Sequence, residues 1–516
     1  MNALRYYAPA TAQLNRSLDR DLCIYGGTSG AIAAAVTASR LGLSVVVLEQ
    51  SRHVGGMTAG GLSLTDIGNK QAIGGISREF YRRVGQCYGV EEHWRFEPHV
   101  AEGVFQDWIR EEKIEVYYET FLAGVEMEGN KITKLRTENG LEVTARMFID
   151  CSYEGDLMAA AKVSFAVGRE SNAQYGETLN GAQVRPKHQF ELPVDPYVKE
   201  GDPTSGLLPG IEEGEVQAGQ GDHRLQAYNF RLCLSRDASN QIPFTEPEGY
   251  DRSHYELLVR YLKAGYIPMF LKFDELVKQK VDMNNYGAFS TDFIGANHGF
   301  VEASYAEREK MFQAHVAHIK GLMWFWKQDE AMPKEYQEPY QAWGWAADEF
   351  TDCGGFSHAL YVREARRLVG DVVMTEHHCV GAQTADDSIA LAAYTMDSHN
   401  CRRFVRDGKV LNEGDVQVEA GPPFPISYRS VIPKRGECEN LLVPFCLSAS
   451  HIAFGSIRME PVFMILAESC VRAAALALKQ GVAVQDVPYA DLRSDLLAAG
   501  QKLDSIPKAE DSQNGE

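Results

Sequence analysis

The chain of 516 residues is too long for one simple hydrophobic core, so we expect two connected domains. It has 51 basic and 71 acidic residues, and the net charge of −20 argues against nucleic acid or an anionic membrane as a main partner. The ten cysteines form no C-x-x-C pair, which argues against zinc ribbons and cysteine-ligated iron–sulfur clusters. We expect no metal site. The first residues lack the apolar segment of a signal peptide, so we expect a cytoplasmic protein.

The stretch from Asp21 to Glu49 predicts a βαβ unit that binds a dinucleotide. The glycines of its turn let backbone N–H groups approach a pyrophosphate, and the helix N-terminus adds donors and partial positive charge. Glu49 is placed to accept hydrogen bonds from ribose hydroxyls. The unit consists of a strand, a glycine turn, a helix and a second strand: Leu22 to Tyr25, Gly26–Gly27, Ser29 to Leu41, and Ser44 to Leu48.

The G-x-G-x-x-G fingerprint is incomplete, because Thr28 replaces its middle glycine and Ala31 its last. An ordinary βαβ crossover without a ligand therefore stays an alternative for this stretch. A second glycine-rich loop follows, with the pairs Gly55–Gly56 and Gly60–Gly61. A loop of this kind favours a ligand longer than one turn can hold, such as FAD.

The following elements return to the same domain. A helix over His99 to Glu112 precedes a third parallel strand, Ile114 to Tyr118, and Gly129–Asn130 suits the turn of a hairpin. A strand then runs into Asp150, and the glycine turn at Gly155 leads to a short helix, Leu157 to Lys162. This repeats the opening pattern and predicts a second contact to the same ligand.

From about Val163 to Leu411 the βαβ alternation disappears, and we expect an inserted substrate or cap domain. Its longest predicted helix runs from Ser304 to Lys327. Four of the six tryptophans lie close together, as the floor of a sugar pocket or, more often for such clusters, as domain core. They are Trp324, Trp326, Trp343 and Trp345.

The C-terminal part returns to the first domain. A buried strand (Asn440 to Leu447) and a loop (Ser448 to Pro461) lead to a helix (Val462 to Leu478) that is interrupted by Glu468 and Arg472 and is therefore not predicted to span a membrane.

The predicted fold class is α/β, with a Rossmann-like FAD-binding domain on a parallel sheet that is interrupted by a large α+β substrate or cap domain. The expected parts are an N-terminal extension, the two FAD-binding segments, the cap between them and a disordered tail: residues 1–20, 21–162 with 412–503, 163–411 and 504–516.

On these residues the chain resembles the bacterial FAD-dependent oxidoreductase family of the glutathione-reductase-like flavoprotein superfamily, which also includes fumarate-reductase-type enzymes. The resemblance covers Asp21 to about Leu503. Its carriers are YGGTSG at Tyr25, GGMTAGGL at Gly55, FIDCSYEGD at Phe148, QAYNFRLCL at Gln226, LYVREARRLVG at Leu360, MDSH at Met396 and SASHIAFGSIRMEP at Ser448. The chain departs from relatives that carry iron–sulfur clusters, since it lacks their cysteine ligands.

The resemblance implies FAD, redox chemistry and a set of cofactor-binding residues. Relatives linked to carbohydrate breakdown imply sugars or polyols as candidate substrates. The implied contacts are Gly26, Gly27, Thr28 and Ser29 at the pyrophosphate, Glu49 at the ribose, Gly55, Gly56 and Met57 at the ribityl and flavin side, Asp150 and Gly155 at the second glycine turn, and Ser456, Ile457, Arg458, Met459 and Glu460 at the pyrimidine edge.

Catalysis needs an acid or base beside the flavin, and His399 and His451 are the two candidates among fourteen histidines. Arg458 is expected to stabilise the negative charge of the reduced ring. A predicted helix places Arg363 and Arg366 on one face, where they would clamp a substrate carboxylate. The alternative for these arginines is ion pairing with local acids such as Asp348, Glu349 and Glu364.

The leading hypothesis is an FAD-dependent dehydrogenase or oxidase that transfers hydride from a CH–OH or CH–NH group of a small polar metabolite to flavin N5. A fumarate-reductase-like enzyme acting on a C–C bond of a carboxylate is a variant, and a non-redox, flavin-loaded binding protein is the alternative from another class. The expected partners are a small-molecule substrate and an unidentified electron acceptor. Homo-oligomerisation is left open.

Overall fold

A computed structural model describes residues 4–267 and 272–506. The predicted tail therefore lies mostly outside the described residues. The first part of the chain forms six strands and five helices. The strands are β1 (Arg16–Tyr25), β2 (Val45–Leu48), β3 (Glu115–Tyr117), β4 (Leu122–Glu128), β5 (Lys131–Thr137) and β6 (Leu141–Asp150), and the helices are α1 (Ser29–Arg40), α2 (Gly56–Ala59), α3 (Gly75–Cys87), α4 (Pro98–Glu111) and α5 (Asp156–Ala160).

The middle of the chain is richer in short strands. They are β7 (Phe165–Ala166), β8 (Ile211–Glu212), β9 (Leu232–Ser235), β10 (Gln241–Pro243), β11 (Lys272–Glu275), β12 (Lys280–Asn284), β13 (Gly344–Ala346), β14 (Arg367–Leu368), β15 (Ser388–Ala392), β16 (Met396–Ser398), β17 (Arg402–Arg406) and β18 (Lys409–Glu413). Its helices are α6 (Asn172–Tyr175), α7 (Glu256–Lys263), α8 (Tyr305–Gln328), α9 (Lys334–Tyr340) and α10 (Glu376–Cys379). The last part contains β19 (Val416–Val418), β20 (Phe424–Ser427), β21 (Leu441–Leu442), α11 (His451–Ile457), α12 (Glu460–Gln480) and α13 (Tyr489–Ala498).

A mostly parallel sheet, in the order β3-β2-β1-β6-β5-β4, carries the predicted βαβ unit. β1 pairs in parallel with β2 and β6, and their last residues, Tyr25, Leu48 and Asp150, lie in register. The third parallel strand and the β4–β5 hairpin are confirmed. β21 pairs in parallel with β6, so the C-terminal part does return to this sheet. The α/β fold class with a Rossmann-like domain is confirmed.

Helix α1 begins where the turn after β1 ends, because the Thr28 side chain caps it. Its Oγ1 accepts a hydrogen bond from Ala31 N (3.3 Å) and donates one to Cys151 O (2.9 Å). The residue that breaks the glycine fingerprint therefore has a local role as an N-cap. The small side chains of α1 let it pack closely against α12, with which it makes its main helix contact.

By length and composition α12 could cross a membrane, since its best 18-residue window has a mean hydropathy of 1.7. However, 78% of that window is buried inside the protein. Helix α12 packs against α1, α3 and β15, which is the position of a core helix.

A second hydrophobic core forms around the antiparallel sheet β10-β13-β9-β12-β11 and helices α7, α8 and α9, which together we call the cap. Helix α8 begins after Ser304, which forms a capping box with Glu307. Trp326, Trp343 and Trp345 belong to this core, and Trp324 is half-buried. The tryptophan cluster is therefore core rather than the floor of a pocket.

Two local predictions are wrong. The segment from Tyr361 to Arg366 is extended and not helical, because its buried arginines reach partners on different sides of the segment. The loop predicted before Arg458 contains helix α11. Ser450 caps its first turn, because the Ser450 Oγ accepts a hydrogen bond from Ala453 N (3.4 Å). His399 lies in the loop between β16 and β17, as predicted.

Candidate functional site

The first cavity lies where β1, β2 and β6 end, at the carboxyl edge of the parallel sheet. Gly26, Gly27, Thr28, Glu49 and Gly56 line it, as do the residues that follow β6, Ser152 to Glu154. In open α/β sheets this edge is where ligands bind. We call this space the cofactor cavity. Five of the predicted cofactor-binding residues thus meet in one place.

The glycine turn of this cavity lies very close to the loop after β6 and to Glu49, so it has no room for side chains. Gly26 has a φ of +93°, and a Cβ there would lie 2.7 Å from Ser152 N. A Cβ at Gly27 would lie 2.7 Å from the Glu49 carboxylate. Only glycine allows these approaches, and the turn opens directly onto the N-terminus of α1. The residues present therefore fit FAD.

Glu49 lies over the glycine turn at the end of β2. Its carboxylate accepts hydrogen bonds from Gly27 N and from Ser51 N (2.6 Å). Burial raises the pKa of Glu49, and the hydrogen bonds from Ser51 and Gly27 oppose that shift. An acceptor at this point in the fold matches the ribose contact that the sequence predicts.

Glu460 joins the glycine loops to the start of α12. Its carboxylate accepts hydrogen bonds from Ser29 Oγ (2.6 Å), Thr58 Oγ1 (2.7 Å) and Tyr153 Oη (2.7 Å). The Tyr153 hydroxyl also accepts a hydrogen bond from Met57 N (2.8 Å). This buried network ties α1, α2, the β6 loop and α12 together. Tyr153 is a residue that the sequence analysis did not single out.

A second, smaller cavity adjoins the cofactor cavity, since Tyr153 and Val362 line both. Tyr361, Arg363, Arg458 and Glu460 also line it, together with three phenylalanines. An aromatic and cationic lining at the N-terminus of α12 suits the ring end of a flavin.

Arg363 and Arg458 lie over the same aromatic ring, 4.6 and 5.9 Å from the Tyr361 centroid. Each has its own acid. Arg363 Nη2 lies 3.0 Å from Asp292, and Arg458 Nη2 lies 3.2 Å from Asp397. Arg458 Nη1 also donates to the Tyr361 hydroxyl (3.1 Å). Both guanidinium charges are thus compensated within the site.

His399 lies between the same two acids. Its Nδ1 is 2.7 Å from Asp292 and its Nε2 is 3.5 Å from Asp397. Burial and the charge of Arg363 lower the pKa of His399, but the two carboxylates outweigh them and raise it above its ordinary value. Conversely, burial raises the pKa of Asp397, while His399 and Arg458 bring it well below its usual range.

His451 is 1% exposed and is the first residue of α11. Its Nδ1 lies 2.7 Å from Glu364 and its Nε2 lies 2.9 Å from the Ser398 hydroxyl. Both ring nitrogens therefore already have partners inside the protein. Neither His451 nor His399 is among the lining residues of the two cavities described above, but His399 pairs with the acids of the two arginines that border the second one.

The structure does not bring Arg363 and Arg366 together. Arg366 Nη1 bonds Asp156 (2.8 Å) and Glu154 O (2.9 Å), at a contact between the first domain and the cap. The arginine that accompanies Arg363 at the second cavity is Arg458. Of the three local acids that were predicted to pair with these arginines, Glu364 does pair with a neighbouring one, Arg367 (2.8 Å). Asp348 and Glu349 pair with Lys280 instead.

The remaining predicted residues lie around the two cavities. Asp150 is used within its own loop, where it accepts hydrogen bonds from Ser152 N (3.1 Å) and Met158 N (2.8 Å), and burial raises its pKa to about 6. Gly155 has a φ of +70° before α5. Gly55 and Met57 flank the start of α2, and Ser456, Ile457 and Met459 are buried around the end of α11.

Asp66 and Tyr394 form a polar pair that the sequence analysis missed. The Tyr394 hydroxyl donates to Asp66 (2.9 Å) across 328 residues of sequence. Burial raises the pKa of Asp66, and Arg231 opposes the shift. Asp66, Tyr361, Tyr394 and Asp397 are all partly exposed, and their charges act on one another. No local sequence signal could have identified a pair so far apart in the chain.

Among the residues that the structure describes, two groups of side chains offer metal-ligand atoms within 4.8 Å of one another. They are His53 with Asp352 and Cys353, and Glu97 with His99, Asp348 and Glu349. The second group encloses the Lys280 ammonium, which already pairs with Glu97, Asp348 and Glu349. Neither group lies at the predicted flavin ring.

A sequence model of one protein family, described as FAD dependent oxidoreductase, matches residues 21–496. No curated protein matches the chain in sequence.

Among solved structures, the chain is similar to a flavin monooxygenase mutant from Stenotrophomonas maltophilia (14% identity, 26% of this chain and 38% of that one, TM-score 0.19). It is similar to thioredoxin reductase of T. acidophilum (18% identity, 26% and 34%, TM-score 0.19). It is also similar to a deletion variant of L-amino acid deaminase from Proteus vulgaris (13% identity, 32% and 62%, TM-score 0.24). The aligned parts cover less than two thirds of each of these three proteins, and TM-scores this low add nothing to the fold described above.

Proposed function

The chain belongs to the FAD-dependent oxidoreductase family, and from this premise we propose that it oxidises a CH–OH or CH–NH group of a small, uncharged polar metabolite, with sugars and polyols as the first candidates. The substrate loses a hydride and a proton. An electron acceptor that is still unidentified, whether oxygen, a quinone, NAD(P) or a protein, reoxidises the cofactor.

The pairing of the two arginines is the observation that carries this proposal. A clamp for a substrate carboxylate needs guanidinium groups with free charge. Arg363 and Arg458 instead pair with Asp292 and Asp397. Binding an anion there would bring it close to two carboxylates that already neutralise these cations. This favours an uncharged substrate over the fumarate-reductase-like alternative.

We assign the glycine turn, Glu49 and Tyr153 to cofactor binding, and Arg458 to the pyrimidine end of the ring. When bound, FAD supplies the hydride acceptor at N5. His399 holds the proton of the substrate hydroxyl or amine, with Asp292 orienting its ring through Nδ1 (2.7 Å). Asp66 is the second candidate for this proton, because its raised pKa brings a carboxylate closer to the basicity that such a transfer needs.

The first test is the absorption spectrum of the purified protein, followed by anaerobic additions of sugars and polyols, and separately of small carboxylates. We expect flavin bands that bleach with a sugar or polyol. Bleaching only by carboxylates would contradict the neutral-substrate proposal, and no flavin after reconstitution would contradict the cofactor assignment.

The pH dependence tests the role of His399. A base must be neutral, and the pKa of His399 is raised, so flavin reduction should be slow at low pH and should rise through a pKa above 6.5. Asp292→Asn removes one raising charge and should move that rise to lower pH. His399→Gln should slow reduction by about 10²- to 10⁴-fold while FAD stays bound.

Stopped-flow reduction at several pH values separates the candidates. If His399→Gln keeps the parent rate and Asp66→Asn does not, the proton passes to Asp66. The same measurement on His451→Gln decides whether the other predicted histidine has any part in the reaction.

We also infer a cytoplasmic location. All ten cysteines are free, and nine of them are buried. Free buried thiols are typical of proteins in reducing compartments.

A further inference from the structure

We propose that the protein has a second ligand site, in the cap and apart from the flavin, which binds a small aromatic carboxylate. The site is a cavity of about 400 Å³, which is within the usual range for small-molecule pockets. It lies between α8, β17 and the loops that contain Tyr250 and Phe293. We call it the cap cavity.

A buried cation that forms no salt bridge within the described part of the chain lies in the wall of the cap cavity. Arg403, on β17, is 4% exposed. Its Nη2 donates to Ala288 O (3.2 Å), but its Nε has no hydrogen-bond partner among the residues that the structure describes. Burial of a charge is costly unless it is paired. A ligand anion would supply the missing partner.

Three acids line the cavity, Glu212, Glu248 and Asp251, and the last two are exposed to solvent. Asp292 acts on Arg403 only through its charge, at a distance, and it is paired with Arg363 and His399. Burial lowers the pKa of Arg403 to about 10, so the guanidinium stays charged at neutral pH. Glu212 pairs with Arg224 (2.6 Å) and lies 3.5 Å from His298. Because Arg224 offsets its charge, Glu212 repels an incoming anion less than an unpaired carboxylate would.

The rest of the wall suits a flat apolar body. Phe289 lies under Arg403, with 4.9 Å from the guanidinium carbon to the ring centroid. Phe293 stacks on His318 at 4.2 Å, and burial lowers the pKa of His318 to about 3, so this ring is neutral. Aromatic walls and one buried guanidinium, that of Arg403, are complementary to an aryl group that carries a carboxylate.

The cavity has an opening and is separate from the flavin site. Ala314 and Ala317 of α8 line it and are exposed, so their small side chains leave an entrance. It shares no lining residue with the cofactor cavity. The segment from Ser290 to Asp292 has contacts on both sides, since Ser290 O lies 3.2 Å from His318 Nε2 in the cavity wall and Asp292 pairs with His399 (2.7 Å). A ligand here is therefore distinct from the substrate that meets the flavin.

The test is fluorescence titration of the purified, FAD-loaded protein with 2-naphthoate and with its neutral match, 2-naphthamide. We expect one saturable site that binds the carboxylate at least tenfold more tightly than the amide. Arg403→Met should remove this preference. Arg406→Met, an exposed arginine on the same strand, is the control and should keep it.

A second variant covers the case in which Arg403→Met does not fold. Ala317→Trp fills the entrance from an exposed position and should weaken 2-naphthoate binding at least tenfold. Lys310→Trp, exposed on α8 but not in the cavity wall, should not. The proposal is overturned by an absence of saturable binding, by equal binding of acid and amide, or by binding that survives Ala317→Trp or perturbs the flavin spectrum instead.

Discussion

At the scale of single residues, the chemistry of the candidate site depends on how its charges are paired. Asp292 and Asp397 are shared among Arg363, Arg458 and His399. Asp292 therefore interacts with both Arg363 and His399, and Asp397 with both Arg458 and His399. Removal of one of these charged side chains changes the net charge of the site by one unit. In a buried network this alters the electrostatic energy of every remaining side chain.

Replacement of Arg458 should lower the reduction potential of the flavin. Asp397 offsets the charge of Arg458, but the Arg458 Nε has no hydrogen-bond partner among the described residues and can donate to the reduced ring. A hydrogen bond that involves a charged group contributes about 1.5–3 kcal/mol. For a two-electron couple this corresponds to roughly 30–60 mV. Arg458→Met should show the full decrease in a dye-linked potential measurement, and Arg458→Lys, which keeps the charge, a smaller one. An unchanged potential in folded, FAD-loaded Arg458→Met would remove this role.

At the scale of elements, the N-terminus of α1 is kept in place by its close contact with the C-terminal part. A Cβ at Gly30 would lie 2.6 Å from the Phe445 ring and 2.9 Å from Phe463 O. The second of these is backbone of α12 and cannot yield as a flexible side chain could. The glycine therefore sets the distance between the two helices at the cofactor end.

Gly30→Ala should destabilise the protein by about 1–3 kcal/mol, the usual cost of overpacking. It should also weaken FAD binding, since α1 must move. Gly103→Ala is the matched control, because it lies in helix α4 with open space around it and should be neutral or slightly stabilising. Thermal unfolding and FAD titration check both variants. Equal melting temperatures for the two would contradict this account.

The N-terminal segment forms part of the cofactor cavity. Arg5 and Tyr6 line the cavity beside Glu49, and Glu309 of α8 accepts hydrogen bonds from the backbone N–H groups of Tyr6 (2.6 Å) and Tyr7 (2.8 Å). The segment thus crosses from the parallel sheet to the cap at the end where the adenosine would lie.

Deletion of residues 1–8 should raise the dissociation constant of FAD by about tenfold, equivalent to about 1.4 kcal/mol. The dissociation constant of FMN, which lacks the adenosine, should change little. Flavin fluorescence quenching measures both constants. A parallel loss of FMN binding would mean that the deletion disturbs the whole fold and not the adenosine end.

At the scale of the whole molecule, a buried ion cluster joins the two cores. Asp156 begins α5 in the first domain, and it bonds Arg308 of α8 (2.6 Å) and Arg366 (2.8 Å). Both arginines come from the part of the chain between the two FAD-binding segments. The relative position of cap and cofactor cavity depends on this contact.

Asp156→Asn should destabilise the protein by about 3–5 kcal/mol, because it leaves two buried cations without their acid. Asp486→Asn removes an exposed ion pair with Arg435 and should leave the stability nearly unchanged, because solvent screens such a pair. Urea unfolding followed by flavin release compares them. If Asp156→Asn is no less stable than the control, the cluster does not hold the cores together.

Local patterns were sufficient for the first domain. Strand, turn and helix follow one another over fewer than thirty residues from Asp21, and the need for glycine and for a terminal acid is visible in each residue type. Helices α4, α8 and α12 could also be predicted, because their apolar periodicity and their caps are properties of the local sequence. The βαβ unit, the third parallel strand and the return of the C-terminal part could be predicted for this reason.

The substrate end could not be predicted, because its partners are distant in sequence. Asp66 meets Tyr394, and Asp292 meets Arg363 and His399, only once the cap has folded onto the sheet. The helix predicted over Arg363 fails for the same reason, since buried ion pairs to several elements override local periodicity. The sequence by itself determined the fold class and the cofactor family. The tertiary structure decided which charges are compensated, because the acids that pair with these cations are distant in the chain, and the proposal of an uncharged substrate rests on that pairing.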